Sequence, residues 1–120
     1  MTDGQIEAEI QAKGLNAPRI TPQHIEEVIF SEYYFTAADG YRSAYGTGCW
    51  PGALGLLTFC VLELKNGFTV TGESACASQE NFDAELGRKV ARQHAVDKIW
   101  ALEGYLLKQR ISDGTVTEPA

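Results

Sequence analysis

Two runs rich in β-branched and aromatic residues, Leu57-Thr-Phe-Cys-Val-Leu-Glu-Leu64 and Phe68-Thr-Val-Thr-Gly-Glu73, are separated only by Lys65-Asn66-Gly67. Few local patterns restrict a chain so strongly. Asn-Gly tolerates the positive φ angles of a type I′ turn, so the two runs are expected to fold back as an antiparallel hairpin. A two-residue Asn66-Gly67 loop pairs Leu64 with Thr69 and Glu63 with Val70. That register sets Phe59, Val61, Phe68 and Val70 on one face and Cys60, Leu62, Leu64, Thr69 and Thr71 on the other. Both faces are partly apolar, which calls for cover on both sides by helices or by another subunit. Two strands alone are marginal, and a third strand from the preceding Gly-rich segment, or strand pairing between chains, would complete the sheet.

After the hairpin, a long amphipathic helix is expected to open at Asn81-Phe82-Asp83 and to run to about Ile111. Ser78 or Asn81 suits its N-cap, and Glu80, Asp83 and Glu85 place negative charge near the positive end of its dipole. Ala84, Gly87, Ala91 and Ala95 form a stripe of small side chains that lets another backbone approach closely, either the hairpin or a second chain. Further along, Ile99, Leu102, Tyr105 and Leu106 broaden the apolar face, and Gly104 is a candidate kink. Residues 112–120 read as a polar, flexible tail.

Upstream, residues 1–20 are polar and weakly patterned, with a short helical turn suggested by Ile6 and Ile10. Thr21-Pro22 is a firm start signal, a capping hydroxyl followed by proline at the first helical position. Ile25, Val28 and Ile29 follow at helical spacing, which predicts a helix from Pro22 to about Tyr33, closed by the aromatic run Phe30, Tyr33, Tyr34 and Phe35. From Asp39 to Gly55 the chain carries Gly40, Gly46, Gly48, Gly52, Gly55 and Pro51, and reads as an exposed loop insertion pinned by Tyr41, Tyr45 and Trp50. The organisation expected is therefore one α+β domain over residues 21–111: an N-terminal helix, an antiparallel hairpin or small sheet, and a long C-terminal helix. The 120 residues suffice for one such core.

The formal net charge of −6 argues against DNA or RNA as partner, because affinity for nucleic acid comes from neutralising phosphates with Lys and Arg. No apolar run approaches the roughly 20 residues that span a bilayer, and the first residues lack the basic-then-apolar pattern of a signal peptide, so a cytoplasmic location is expected. The three cysteines, Cys49, Cys60 and Cys76, show no paired metal spacing and are expected to be reduced and structural. His24 and His94 lie on different predicted helices, and His94 falls on the apolar side, as a core histidine does. No Gly-x-Ser-x-Gly elbow, His-Glu-x-x-His, or phosphate-binding glycine motif is present. No cofactor, metal or enzymatic activity is expected.

The one concentrated chemical signal is cationic. Arg88 and Arg92 are four apart on the predicted helix and project to one side, bordering the small-residue stripe. That spacing suits two roles: surface ion pairs with Glu85 and other carboxylates, or a joint clamp on a phosphate or pyrophosphate.

The runs Lys65-Asn-Gly-Phe-Thr-Val-Thr-Gly-Glu-Ser-Ala-Cys76, Asn81-Phe-Asp-Ala-Glu-Leu-Gly-Arg-Lys-Val-Ala91 and Asp97-Lys-Ile-Trp-Ala-Leu-Glu-Gly-Tyr-Leu-Leu107 resemble a family of small tailed-phage proteins. Ile20-Thr-Pro-Gln-His-Ile25 and Ser31-Glu-Tyr-Tyr-Phe35 resemble that family's opening helix. The hairpin followed by a helix carrying Arg-x-x-x-Arg is also similar to the phage Thoeris anti-defence proteins, non-enzymatic oligomeric sponges that sequester cyclic ADP-ribose-type immune signals between sheet and helix. That resemblance implies a small nucleotide ligand, a homo-oligomer and a place in the host cytoplasm. It further implies that Arg88 and Arg92 grip the pyrophosphate, that Phe68 or Phe82 stacks on the adenine, and that Asn81 bonds a ribose or base edge. The alternative class is an accessory protein that docks on a host or phage protein through its acidic surface and small-residue stripe, with no small ligand.

Overall fold

The computed structural model describes residues 2–15, 17–46 and 48–116. In chain order the elements are α1 (Asp3–Ala12), α2 (Pro22–Val28), β1 (Ile29–Thr36), α3 (Ala37–Tyr45), β2 (Leu57–Leu64), β3 (Thr69–Ala75) and α4 (Ala84–Ser112). Short 3-10 turns lie at Gly52–Leu56 and Gln79–Asn81. The fold is α+β, with an N-terminal helix, a three-stranded antiparallel sheet of order β1-β2-β3 and a long C-terminal helix. Two compact units are present: Ile29–Lys98, and Met1–Val28 with Ile99–Ala120.

The unit from Ile29 to Lys98 holds the sheet. Its third strand comes from an unexpected place: the helix begun at Pro22 stops at Val28, and Ile29–Thr36 is a strand. Helical spacing of Ile25, Val28 and Ile29 had no continuation to support it. In Ile29-Phe-Ser-Glu-Tyr-Tyr-Phe-Thr36 the β-branched and aromatic side chains favour a pleated, half-buried surface, and pairing with β2 takes precedence. The register runs from Tyr33 opposite Val61 to Thr36 opposite Thr58, with an irregularity between Ile29 and Ser31.

The hairpin is present, but its turn is one residue longer than Asn66-Gly67 alone. Leu64 N donates to Phe68 O at 2.8 Å, Gly67 N donates to Leu64 O at 2.9 Å, and Gly67 sits at φ 88°. The Asn66 side chain accepts from Phe68 N at 3.0 Å. Lys65-Asn66-Gly67 is thus a three-residue loop, and Glu63 pairs with Thr69 and Leu62 with Val70. A slip of one residue exchanges the faces of β3. Val70 and Gly72, rather than Thr69 and Thr71, join Cys60, Leu62 and Leu64 on the buried side.

That side faces α4. Cys60, Leu62, Ala91 and Ala95 have no exposed surface. Gly72 explains why the stripe on α4 is small. A Cβ built on Gly72 would lie 2.1 Å from the Ala91 carbonyl oxygen and 2.4 Å from the Ala95 nitrogen, so backbone meets backbone there. The stripe therefore packs on the hairpin of its own chain. At Gly87 the fit is looser, a Cβ meeting the Thr58 Oγ1 at 3.2 Å. The opposite sheet face is not covered to the same degree: Tyr33 is 54% and Phe35 42% exposed, and the Phe35 ring leans on Phe59 at 5.8 Å between centroids.

The Gly-rich stretch is not a plain loop. Residues Ala37–Tyr45 form α3, started by a reciprocal cap: Asp39 N donates to the Thr36 hydroxyl at 3.1 Å and Thr36 N donates to Asp39 Oδ2 at 2.9 Å. The Arg42 guanidinium lies 4.5 Å over the Trp50 ring, and the Tyr41 and Tyr45 rings lie 4.8 Å apart. The N-cap of α4 is Asp83, not Ser78 or Asn81, since its Oδ1 accepts from Leu86 N at 3.1 Å. Among the cysteines, Cys60 is buried, Cys76 partly so, and Cys49 is exposed rather than packed.

In the other unit the polar N-terminal segment forms α1, with a capping box between Thr2 and Gln5. Arg19 forks onto both carboxylate oxygens of Glu7, the Nη2 to Oε2 bond measuring 2.9 Å. The Trp100 indole N–H donates to Asp3 Oδ2 at 3.2 Å, and Ile25 and Ile99 are the buried apolar side chains. α4 runs through Gly104 without interruption, since a helix of 29 residues tolerates one glycine with open space around it. Of the expected flexible tail, residues 117–120 lie outside the described residues.

Candidate functional site

A recess lies where the end of β1 meets the start of α4. It has a volume of about 110 Å³ and is lined by Tyr34, Phe35, Thr36, Asp39, Thr58, Phe82, Ala84 and Arg88. Three features of the local fold create it. The end of β1 supplies Tyr34, Phe35 and Thr36, the cap of α3 fixes Asp39, and the chain entering α4 delivers Phe82 one residue before the Asp83 cap.

Arg88 lines this recess and makes no hydrogen bond or ion pair among the described residues. The predicted pairing partner Glu85 is instead bonded to Lys89, at 3.3 Å. The acid in the recess, Asp39, is already engaged: Thr36 N donates to one oxygen, and Arg42 Nη2 lies 2.6 Å from the other. The Thr36 backbone and the neighbouring Arg42 hold the Asp39 carboxyl below its usual range. The uncompensated charge at the recess is therefore the positive one on Arg88.

One helical turn on, roughly 6 Å away, Arg92 is arranged differently. Its Nε and Nη2 lie 3.2 and 3.1 Å from Glu32 Oε2, and the Tyr34 hydroxyl donates to Glu32 Oε1 at 2.8 Å. The Arg92 guanidinium holds the Glu32 carboxyl below the usual range. Burial, then the bond to Glu32, pushes Tyr34 above the ordinary tyrosine range, so it stays protonated and donating. Burial likewise pushes up the Cys60 thiol beneath them.

The sequence-derived candidates separate into groups. Arg88 and Phe82 line one recess, and Arg92 lies along the same edge. Asn81 is exposed in the 3-10 turn next to Phe82. Phe68 is 54% exposed at the hairpin turn, and the six residues from Thr58 to Leu64 put it roughly 20 Å away along the sheet. Of the two candidate rings, Phe82 lines the recess with Arg88 and Phe68 does not. Tyr34, Thr36, Asp39 and Thr58 were not among the candidates. The pair Thr36-x-x-Asp39 was their one sequence signal, a capping box hidden in front of a glycine-rich stretch.

Neither histidine enters the recess. His94 is exposed rather than in the core, with Nδ1 2.7 Å from the Glu73 carbonyl oxygen. His24 belongs to the other unit, where its Nε2 lies 3.6 Å from Glu103 Oε1. Among the described residues no helix is long and apolar enough to cross a membrane.

The Phage protein (N4 Gp49/phage Sf6 gene 66) family matches residues 20–111, which takes in the sheet, the recess and nearly all of α4. The chain belongs to that family. The match includes every residue that lines the recess, so the site is part of the family's domain and not of an appended segment. No curated protein and no solved structure matches the chain.

Proposed function

We propose that this phage protein captures a nucleotide immune signal of the cyclic ADP-ribose type and holds it without turnover, acting as a counter-defence sponge in the host cytoplasm. The observation that carries the reading is Arg88, unpaired among the described residues, at a recess lined also by the aromatic residues Tyr34 and Phe82 and by Thr36 and Thr58. A cation with two parallel N–H donors suits a phosphate, and aromatic walls beside it suit a base or ribose. The similarity of the hairpin and Arg-x-x-x-Arg helix to Thoeris anti-defence sponges supports the choice of ligand class.

The recess in one chain, about 110 Å³, is smaller than the roughly 300 Å³ at which sites for whole small molecules begin. It accommodates a phosphate or one ring. The remainder of a nucleotide then lies along the edge between β1 and α4 toward Arg92, and a second copy of the chain closes the site in a homo-oligomer. Slow release, rather than reaction, gives such a protein its potency.

The test is to incubate the protein with cyclic ADP-ribose isomers, remove it by filtration, and then heat-denature it. Depletion followed by recovery of intact ligand supports the sponge. Permanent loss of ligand indicates an enzyme, and no depletion removes this ligand class. A second reading, an accessory protein that docks on a host or phage protein, is favoured by the open aromatic sheet face at Tyr33 and Phe35. Stoichiometric capture of one such protein by wild type, lost in a Tyr33→Ser/Phe35→Ser variant that still depletes no nucleotide, would support it.

A further inference from the structure

Arg88 and Arg92 are one turn apart on the same helix edge, yet only Arg92 is held by a carboxylate of the sheet. Glu32 receives Arg92 Nε and Nη2 on Oε2 at 3.2 and 3.1 Å, and its Oε1 accepts from the Tyr34 hydroxyl at 2.8 Å and lies 3.4 Å from Arg92 Nε. Tyr34 in turn lines the recess beside Arg88. Glu32 therefore stands where the second anionic group of a pyrophosphate would lie if that ligand reached from Arg88 to Arg92. Two carboxylate oxygens meeting the same guanidinium are the geometric equivalent of two phosphate oxygens. Both cannot occupy the fork at once, and a phosphate beside an ionised Glu32 meets like charge.

We propose that Glu32 is a built-in competitor for the ligand: it occupies Arg92 in the empty protein and sets the affinity of the arginine edge for pyrophosphate-type anions. This rests on the reading of Arg88 and Arg92 as an anion site, and it adds a residue that opposes binding. The arrangement has a physical rationale. Two arginines whose Cβ atoms lie roughly 6 Å apart on one helix put like charge along the same edge when no anion is present, and Glu32 offsets that charge while the site is empty. The ligand takes over its role, so the net gain on binding is the difference between phosphate and carboxylate at Arg92, while Arg88 contributes in full. Arg92 and Glu32 side chains are 27% and 39% exposed, so the competition is moderated by solvent.

The experiment measures binding of inorganic pyrophosphate and, separately, of cyclic ADP-ribose by calorimetry to wild type, E32Q, E32A and E32Q/R92A, each shown to be folded by its thermal melt. E32Q should bind pyrophosphate roughly fivefold more tightly than wild type, as expected for removal of one partly exposed charge pair. E32A should show a gain in the same direction, and the gain should vanish in E32Q/R92A. Equal or weaker binding by E32Q, no measurable binding by any variant, or a gain that persists without Arg92 overturns the proposal. The cyclic ADP-ribose arm separates this from the functional reading. Capture of the nucleotide by wild type with no gain in E32Q leaves the sponge standing and removes the competitor. A pyrophosphate gain with no capture of the nucleotide does the reverse.

Discussion

The seam between α4 and the sheet is closed by backbone at Gly72 and by a side chain at Gly87. At Gly72 the helix backbone sits where a Cβ would be, 2.1 Å from the Ala91 oxygen. Four residues before Ala91 on the helix, at Gly87, a Cβ would meet only side-chain atoms of Thr58, the nearest its Oγ1 at 3.2 Å, and Arg88, the next residue, lines the recess. One stripe of small residues thus does two different things. At Ala91 and Ala95 it fixes how closely helix and sheet approach; at Ala84 and Gly87 it keeps side chains out of a space that a ligand can enter. Stability and binding are separated along a single helix, and variants at the two ends should divide accordingly.

The largest effect is expected at the tight end. Gly72→Ala places a methyl group against main-chain atoms that no rotamer change can move, so the helix must shift. Overpacking of this kind costs about 3 kcal/mol. The melting temperature should fall by roughly 10 °C or more. Replacing Ala91 with Gly should not rescue it, because the clash is with the Ala91 backbone rather than its methyl. A wild-type melt for Gly72→Ala would show that the seam is more yielding than its geometry indicates.

Arg88→Ala should behave in the opposite way. Its guanidinium has no partner among the described residues and its side chain is exposed, so the melting temperature should stay within about 2 °C of wild type, as for surface changes generally. Capture of cyclic ADP-ribose should weaken roughly tenfold to a hundredfold, the range for losing a hydrogen bond to a charged group. Unchanged capture would remove Arg88 from the site and with it the contrast between the two ends.

This division was only partly legible in the sequence. The hairpin, the long helix and the small-residue stripe follow from local pattern, because Asn-Gly, β-branched alternation and helical spacing act over a few residues. The register did not: whether Lys65 belongs to the strand or to the loop is decided by Asn66 accepting from Phe68 N and by Gly67 at positive φ, and that single residue decides which face Val70 and Gly72 occupy. Ile25, Val28 and Ile29 fit a helical period that runs on into β1, whereas the strand partner of β1 lies some thirty residues away. Phe82, Arg88 and Arg92 were legible as candidates, since helix spacing alone puts two arginines on one side. Their companions Tyr34 and Thr36 depend on β1 being a strand, and Asp39 on a cap masked by the glycines around it. Glu32 as the partner of Arg92 spans sixty positions and leaves no local trace.

Beside the tight end of the seam lies the Glu32–Arg92 pair, which should show itself in acid. Because Arg92 lowers the folded pKa of Glu32, the pair's contribution is fully present above the unfolded value of about 4.3 and is lost as pH falls through the lower folded value. Glu32→Gln should therefore reduce stability at neutral pH by a modest amount, within about 1 kcal/mol for a pair this exposed. Its stability should also decline less than that of wild type between neutral pH and the acid limb. Parallel declines in urea unfolding followed against pH would mean that the pair contributes nothing measurable.

The smallest effect belongs to Gly87→Ala, where two terms oppose each other. Alanine is favoured over glycine inside a helix by about 1 kcal/mol. Against that, the new methyl group approaches the Thr58 hydroxyl at 3.2 Å, a contact that a side chain can relieve by a few tenths of an ångström, unlike the backbone contact at Gly72. The two should nearly cancel, leaving stability within about 0.5 kcal/mol of wild type. Binding is the sharper readout. Thr58 lines the same recess as Arg88, so displacing its hydroxyl alters that recess, and capture should weaken although the fold does not. If Gly87→Ala instead destabilises the protein as much as Gly72→Ala, the seam is equally tight along its length, and the space beside Arg88 is not one that α4 keeps open.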